Sequence, residues 1–146
     1  MTISMYQASV PPLMRTLTNL VNILEKGAAH AEAKSIEPTV LSSSRLYPDM
    51  FPLAKQVQIA SDIARRGVAQ LAGVEAPVME DTETTFAELI DRLKKSIDYL
   101  KTFSAEQIDG SEEKEVTLPI GGGDTMVMQG WPFLTFFVMT NVYFHV

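Results

Sequence analysis

The chain has 146 residues, which is the size of one domain and enough to bury a core without disulfides or metals. Hydrophobic residues make up 46% and charged residues 21%, so a globular chain is expected rather than a disordered one. The net charge of −6, with no run of Lys or Arg longer than a pair, argues against nucleic-acid binding, and the absence of cysteine excludes a disulfide framework, a thiolate metal site and a cysteine nucleophile.

The two ends of the chain bear on where the protein resides. The stretch from Met1 to Val10 has neither a basic nor an apolar segment, so no signal peptide is predicted, and a cytoplasmic protein is favoured. Trp131 to Val146 is nearly all apolar, but it is shorter than the roughly 20 residues of a membrane-spanning helix. It also contains Pro132, Asn141 and His145. It therefore predicts a fully buried core helix and no membrane association.

The first predicted helix runs from Ser9 to Ala33. Its apolar residues recur at helical spacing, namely Leu13, Leu17, Leu20, Val21 and Leu24. Ser9 is a candidate N-cap, because prolines 11 and 12 are tolerated in a first turn. A start near Ser4, with a kink at the prolines, is the alternative.

A long connection from Ile36 to Pro52 follows, with a short helical turn predicted after Glu37. Its second half, from Arg45 to Pro52, concentrates apolar and charged residues and contains two prolines. Long loops of this composition are often functional.

The second and third helices have the clearest local signals. Helix two is predicted from Pro52 to Ala72 and ends at Gly73, a typical C-cap glycine. Helix three is predicted from Thr85 to Phe103, where Thr85 and Glu88 have the spacing of a capping box. The acidic pair Glu80-Asp81 between these helices is expected to be solvated.

A β-hairpin is predicted before the last helix. Glu115 to Ile120 alternates with period two, Gly121 to Asp124 is typical of a turn, and Thr125 to Met128 is a second short run. The triple glycine lacks the lysine of a phosphate-binding loop. A fourth helix begins at Trp131-Pro132 and reaches Val146 without a stop signal, so either its end is buried or, as we favour, the natural C-terminus is missing.

These elements together predict an all-α fold. It is a four-helix bundle with a long loop between helices one and two and a small β-hairpin before helix four. We expect a single domain over residues 1–146.

Five segments carry a resemblance to known proteins. They are Met5-Tyr6, Leu46 to Leu53, Gln56 to Asp62, Leu71 to Val74, and Asn141 to His145. Together they resemble a bacterial domain-of-unknown-function family within the DinB/YfiT-like superfamily. The resemblance implies a four-helix bundle and frequent homodimerisation. In metal-binding members, one histidine from helix two and two from the last helix hold a divalent cation, and some members are thiol-dependent transferases or metal-dependent hydrolases.

The chain has two histidines, which limits any metal site. His30, near the end of helix one, is expected at the surface. His145 lies four residues after Asn141, so both side chains share one face of the last helix. The resemblance places paired metal-binding histidines at this spacing. Because asparagine is a poorer transition-metal ligand than imidazole, the metal site is expected to be degenerate.

Gln56 is predicted to face the core from helix two. Lys55, Gln58, Asp62 and Arg66 form the predicted polar face of the same helix. A buried glutamine needs hydrogen-bond partners, which Asn141 and His145 could supply. Asp49 and Tyr143 could assist at this site. Alternatively Asp49 could cap helix two or pair with Arg45, which could instead remain a solvated charge, and Tyr143 could be a core aromatic. The candidate pocket residues are Gln56, Asn141, His145, Tyr143 and Asp49.

Two functional hypotheses remain open. The first is a non-catalytic or small-ligand-binding DinB-like bundle, forming a homodimer, with a degenerate metal site and no cofactor. The alternative is a divalent-metal-dependent hydrolase or thiol-dependent transferase, in which His145 is a ligand of Zn, Ni, Fe or Mn. No nucleophile motif is present in the sequence.

Overall fold

A computed structural model describes residues 2–146, which are mostly helical with one small two-stranded antiparallel sheet. In chain order the elements are α1 (Met5–Ala33), α2 (Pro38–Ser42), α3 (Leu53–Ala72), α4 (Phe86–Leu100), α5 (Ala105–Ile108), β1 (Glu115–Gly121), β2 (Asp124–Gln129), α6 (Gly130–Pro132), a π-helical segment (Phe133–Val138) and α7 (Met139–His145). The consecutive pieces from Gly130 to His145 are called the last helix below.

Helix α1 begins earlier than its apolar spacing indicates. The Ser4 hydroxyl accepts a hydrogen bond from the Gln7 backbone N–H (3.3 Å), and the Gln7 side chain accepts one from the Ser4 N–H (3.2 Å). This capping box satisfies two donors at the helix start. The prediction of an N-cap at Ser9 is wrong. Ser9 is buried inside the helix, and its hydroxyl donates to the Met5 carbonyl (2.6 Å).

The long helices pack side by side around a common apolar core. Helix α1 packs along α4, α3 lies against both α4 and α7, and α1 also contacts α3. Fully buried leucines from three of these helices fill the core, namely Leu13, Leu17, Leu24, Leu71, Leu89, Leu93 and Leu100. Each such side chain contributes about 1.5–3 kcal/mol through burial. This packing fixes α3 relative to α7, the two helices that carry Gln56 and His145.

The hairpin is short and covers the core with one strand. Val116 and Leu118 of β1 are buried, whereas most of β2 is exposed. Glu115 lies opposite Gln129, and the strands are joined through Gly122 and Gly123, which both have positive φ (63° and 87°). Two consecutive positive φ angles suit the twist of a two-residue hairpin turn, which explains the glycines.

The last helix is buried on one face only, so the expectation of a fully buried core helix is wrong. Phe133, Leu134, Val138 and Val142 are buried, but Phe136 is 72% and Tyr143 is 55% exposed. Neighbouring helices meet only one side of this helix, so its other apolar side chains have no protein surface to cover them. Within residues 2–146, no helix is long and apolar enough to cross a membrane.

Polar and charged residues of α3, α4 and the loop that joins them form a network of hydrogen bonds and ion pairs, which was not predicted from the sequence. Gln58 is buried, and its amide donates to Glu83 (3.0 Å). Asp81 is exposed, as predicted, but it is also held in ion pairs, because it accepts from Lys55 (2.5 Å) and pairs with Arg92 (3.1 Å). The reason is that Arg92 lies on the buried side of α4 and attracts the loop carboxylates.

Candidate functional site

A cleft of about 350 Å³ lies among α2, the loop from Ser44 to Phe51, the start of α3 and the end of α7. Most of its lining is apolar, comprising Leu41, Leu46, Met50, Phe51, Leu53, Phe144 and Val146. The polar lining residues are Ser44, Arg45, Gln56 and His145. Small-molecule sites have this character, a mostly apolar wall with a few placed polar groups.

The loop that forms one wall is held by hydrogen bonds of its own. The Arg45 Nη1 donates to the Met50 carbonyl (2.5 Å), and the Leu53 N–H donates to the Ser44 carbonyl (2.9 Å). The second bond ties the beginning of the loop to the start of α3. Among the described residues Arg45 forms no pair with Asp49, and Asp49 does not cap α3, whose N-cap is Pro52.

Gln56 and His145 meet across the cleft wall, and their hydrogen bonds fix the orientation of both side chains. The Gln56 Nε2 donates to the Phe51 carbonyl (3.2 Å), which turns the amide oxygen toward the imidazole. His145 Nδ1 lies 2.5 Å from Gln56 Oε1. An amide oxygen can only accept, so Nδ1 carries the proton, and the lone pair of the neutral ring is on Nε2.

Burial makes His145 a neutral base. Desolvation lowers the pKa of His145 below its ordinary 6.5, because charging a partly buried imidazole costs free energy. The ring is therefore mainly neutral at pH 7. Within residues 2–146 its Nε2 makes no hydrogen bond, and it is not among the buried polar atoms without a partner. This nitrogen is available to accept a hydrogen bond, to take a proton or to bind a metal ion.

The other three candidate residues do not line the cleft. The Asn141 amide donates to the Phe137 carbonyl (2.7 Å), four residues earlier on its own helix, and so does not reach Gln56 or His145. Tyr143 is exposed, which also excludes the alternative of a core aromatic, and Asp49 is exposed in its loop. The structure thus brings together Gln56 and His145 but not Asn141, Tyr143 or Asp49.

The residues near His145 do not supply the donor set of a three-ligand metal site. In the part of the chain that the structure describes, no three His, Cys, Asp or Glu residues are grouped so that they could hold one ion. His30 is exposed on α1, and the Gln56 oxygen is already bonded to the imidazole. Structural and catalytic zinc sites need at least three protein ligands.

The sequence reasoning missed several residues that line the cleft. Arg45 was considered as a partner of Asp49 or as a solvated charge, and Leu41, Ser44 and Phe144 were not singled out as site residues. The available signal was the concentration of apolar and charged residues from Arg45 to Pro52, because long loops of this kind often form binding sites.

Two comparisons place the chain among known proteins. Residues 5–146 match the family described as Domain of unknown function (DUF1993). A crystal structure of a DinB family member protein from Shewanella denitrificans has 36% sequence identity and a TM-score of 0.86, covering 96% of this chain and 79% of that one. No curated protein matches the chain. The resemblance drawn from the sequence is confirmed: the chain belongs to the DUF1993 family and shares its fold with a DinB family member.

Proposed function

We propose that this protein is a DinB-like four-helix bundle that binds a small organic molecule in the cleft beside Gln56 and His145. The bundle consists of α1, α3, α4 and the last helix. The proposal depends on one observation, the hydrogen bond from His145 Nδ1 to Gln56 Oε1 at the wall of an apolar cleft. It leaves the acceptor Nε2 free, so a ligand with an O–H or N–H group would be preferred.

The size and lining of the cleft support an organic ligand. Its volume of about 350 Å³ falls within the ~300–1,000 Å³ common for small-molecule sites. Apolar walls favour a ligand with an apolar body, since burial contributes roughly 25 cal/mol per Å². A hydrogen bond from the ligand to His145 Nε2 would then fix the orientation of the ligand in the cleft.

The alternative function is metal-dependent chemistry, as a hydrolase or thiol-dependent transferase with His145 bound to Zn, Ni, Fe or Mn. It needs further metal ligands, and the described residues do not bring such side chains together around His145. A glutamine oxygen shared with the same imidazole does not replace them. Binding of an organic ligand is therefore the function that these residues support best.

A fluorescence titration with the neutral apolar amine N-phenyl-1-naphthylamine tests the proposal. We expect saturable binding of one probe per chain, because its rings fit the apolar walls and its N–H can reach Nε2. His145→Phe should weaken binding roughly fivefold, the value of one lost hydrogen bond. The matched control is His30→Phe, which changes the exposed histidine on α1 and should leave binding unchanged. Leu53→Trp should abolish binding by filling the cleft.

Two results would contradict the proposal. One is the absence of saturable probe binding by the folded protein. The other is near-stoichiometric Zn, Ni, Fe or Mn in the purified protein by elemental mass spectrometry, lost in His145→Ala and kept in His30→Ala. That second result would favour the metal-dependent alternative.

We also propose that the protein forms a homodimer through the exposed apolar side of the last helix. Phe136, Tyr143 and Phe144 are more than half exposed, and this helix carries no Asp, Glu, Lys or Arg. Each chain has a net charge of −6, so two copies repel each other. This repulsion is smallest when they associate through surfaces without charged side chains, such as this one. Sedimentation should show a dimer that Phe136→Lys dissociates. A wild-type monomer at tens of micromolar would refute this interface.

A further inference from the structure

We infer that the ligand of the cleft is an organic monoanion with an apolar body, and that Arg45 holds its anionic group. This inference rests on the proposed function and adds the charge of the ligand to it. Of the side chains that line the cleft, Arg45 alone carries a formal charge at neutral pH, since His145 is mainly neutral.

Arg45 is exposed and forms no ion pair among the described residues. Within residues 2–146, no carboxylate lies within 4.0 Å of its guanidinium, whereas Arg65, Arg66 and Arg92 each pair with Asp62. An uncompensated cation beside apolar walls in a chain of net charge −6 makes the cleft a local positive site. An anionic ligand complements that site, and a cationic ligand is repelled.

The Arg45 side chain is already oriented for this contact. Its Nη1 donates to the Met50 carbonyl (2.5 Å), on the same loop that forms the wall of the cleft. A guanidinium has five N–H donors, so this bond leaves donors for a planar anionic group such as a carboxylate. Because this hydrogen bond already holds the Arg45 side chain, ligand binding costs little of its conformational entropy.

The remaining polar groups limit the ligand to one negative charge. His145 presents the lone pair of Nε2, so a second anionic group beside this nitrogen would meet an acceptor and no cationic side chain. The ligand therefore combines an acid group at Arg45, an apolar body along the walls and, at most, a hydroxyl or N–H at His145.

A matched pair of fluorescent probes tests the inference. 8-Anilino-1-naphthalenesulfonate is N-phenyl-1-naphthylamine with an added sulfonate, so the two probes differ in one negative charge. We expect the wild type to bind the anionic probe roughly three- to fivefold more tightly, consistent with one partly exposed charge pair. Arg45→Gln should weaken binding of the anionic probe more than binding of the neutral probe, so that the preference is lost. The control Arg15→Gln, an exposed arginine on α1, should keep the preference.

A displacement experiment replaces the aromatic probe with simple ligands. Octanoate should displace the bound anionic probe from the wild type at lower concentration than octan-1-ol, and this difference should vanish in Arg45→Gln. Equal affinity for the two probes, or a preference that survives Arg45→Gln, would overturn the inference while leaving the proposed function intact. Failure of both probes to bind would overturn the proposed function itself.

Discussion

His145 is a base whose tautomer is set by a neighbouring amide. Gln56 is in turn oriented by the Phe51 carbonyl, so three groups from the loop, α3 and α7 determine where one proton lies. Apart from His145, the cleft lining contains one other ionisable side chain, the arginine Arg45. Protonation of His145 is thus opposed by its burial, with no Asp or Glu side chain in the cleft lining to offset that cost.

Stability should depend on pH through this residue. Burial lowers the pKa of His145 in the folded protein below the 6.5 of the unfolded chain. Between these two pKa values the unfolded chain binds more protons, so the free energy of unfolding decreases as pH falls from 6.5 through the folded pKa, and it is insensitive to this group above 6.5. Urea unfolding at pH 8, 6.5 and 5 measures the effect. A decrease of the same size in His145→Phe would assign it to other groups.

Changing Gln56 to glutamate should reverse the pKa shift. A carboxylate beside the imidazole stabilises its protonated form, so we expect the pKa of His145 to rise in Gln56→Glu relative to the wild type. The chain has two histidines, and proton NMR titration of the ring signals can be assigned with a His30→Asn variant. An unchanged His145 titration would mean that the two side chains are not in contact in solution.

The contact between α3 and the last helix depends on a glycine. Gly67 lies against Val138, and a Cβ built at Gly67 would be 2.7 Å from Val138 Cγ2 and 2.9 Å from Cγ1. Both helices therefore approach closely at the end of the π-helical segment. This approach holds α7 against α3, with Gln56 and His145 nearer the other end of α3.

Gly67→Ala should destabilise the protein although alanine favours helix more than glycine. The propensity gain is about 1 kcal/mol, and the clash with a stiff β-branched side chain should cost more, leaving a net loss of roughly 1–2 kcal/mol. Urea unfolding of Gly67→Ala, Val138→Ala and the double variant measures the coupling. The double variant should lose less than the sum of the single losses. Simple additivity would show that the two positions do not touch.

Across the protein, a buried ionic network joins α3, α4 and the loop between them. Arg92 is 2% exposed, and it donates to Asp62 (2.7 Å) and Glu83 (3.0 Å) as well as to the Glu80 carbonyl (3.0 Å). Burial raises the pKa of Asp81, but the hydrogen bond and charge of Lys55 and the charge of Arg92 outweigh it, so the pKa of this carboxyl is lowered. The network keeps the loop on the helices.

Arg92→Leu should destabilise the protein by about 3 kcal/mol, because carboxylates assembled around one guanidinium lose their counter-charge. Thermal and urea unfolding provide the measurement. Arg66→Gln is the matched control, since Arg66 is exposed and its nearest contact with Asp62 is 3.8 Å. It should change stability by no more than about 0.5 kcal/mol. Equal losses in both variants would contradict a special role for burial.

Local signals predict the helices well, because they depend on neighbours in sequence. Apolar spacing, the Gly73 C-cap and the Thr85–Glu88 capping box are all short-range, and α3 and α4 begin within a residue of their predicted starts. In the structure Arg92 lies on the buried face of α4, and its partners are supplied by another helix and a loop. A sequence pattern does not reveal such partners.

The candidate site was predictable only in part for a related reason. Gln56 and His145 were identified by their polar character on apolar helix faces. Asn141 has the same character, but the Phe137 carbonyl lies one turn away on its own helix, within reach of its amide wherever Gln56 lies. The exposed aromatic residues of the last helix show a second limit of sequence-based prediction. An apolar side chain favours burial, but the sequence does not show whether another part of the protein is there to cover it.

The π-helical segment Phe133–Val138 also affects how relatives of this chain should be aligned. A π turn contains one residue more than an α turn. The helical segments before and after it therefore present the same faces to their neighbours as in a continuous α-helix, with one additional residue between them. A relative whose last helix is α-helical throughout would present its counterpart of His145 to the same neighbour with one residue fewer in between. An ungapped alignment of the two would then pair His145 with an adjacent position, and the loss of a histidine would be inferred where only the spacing differs.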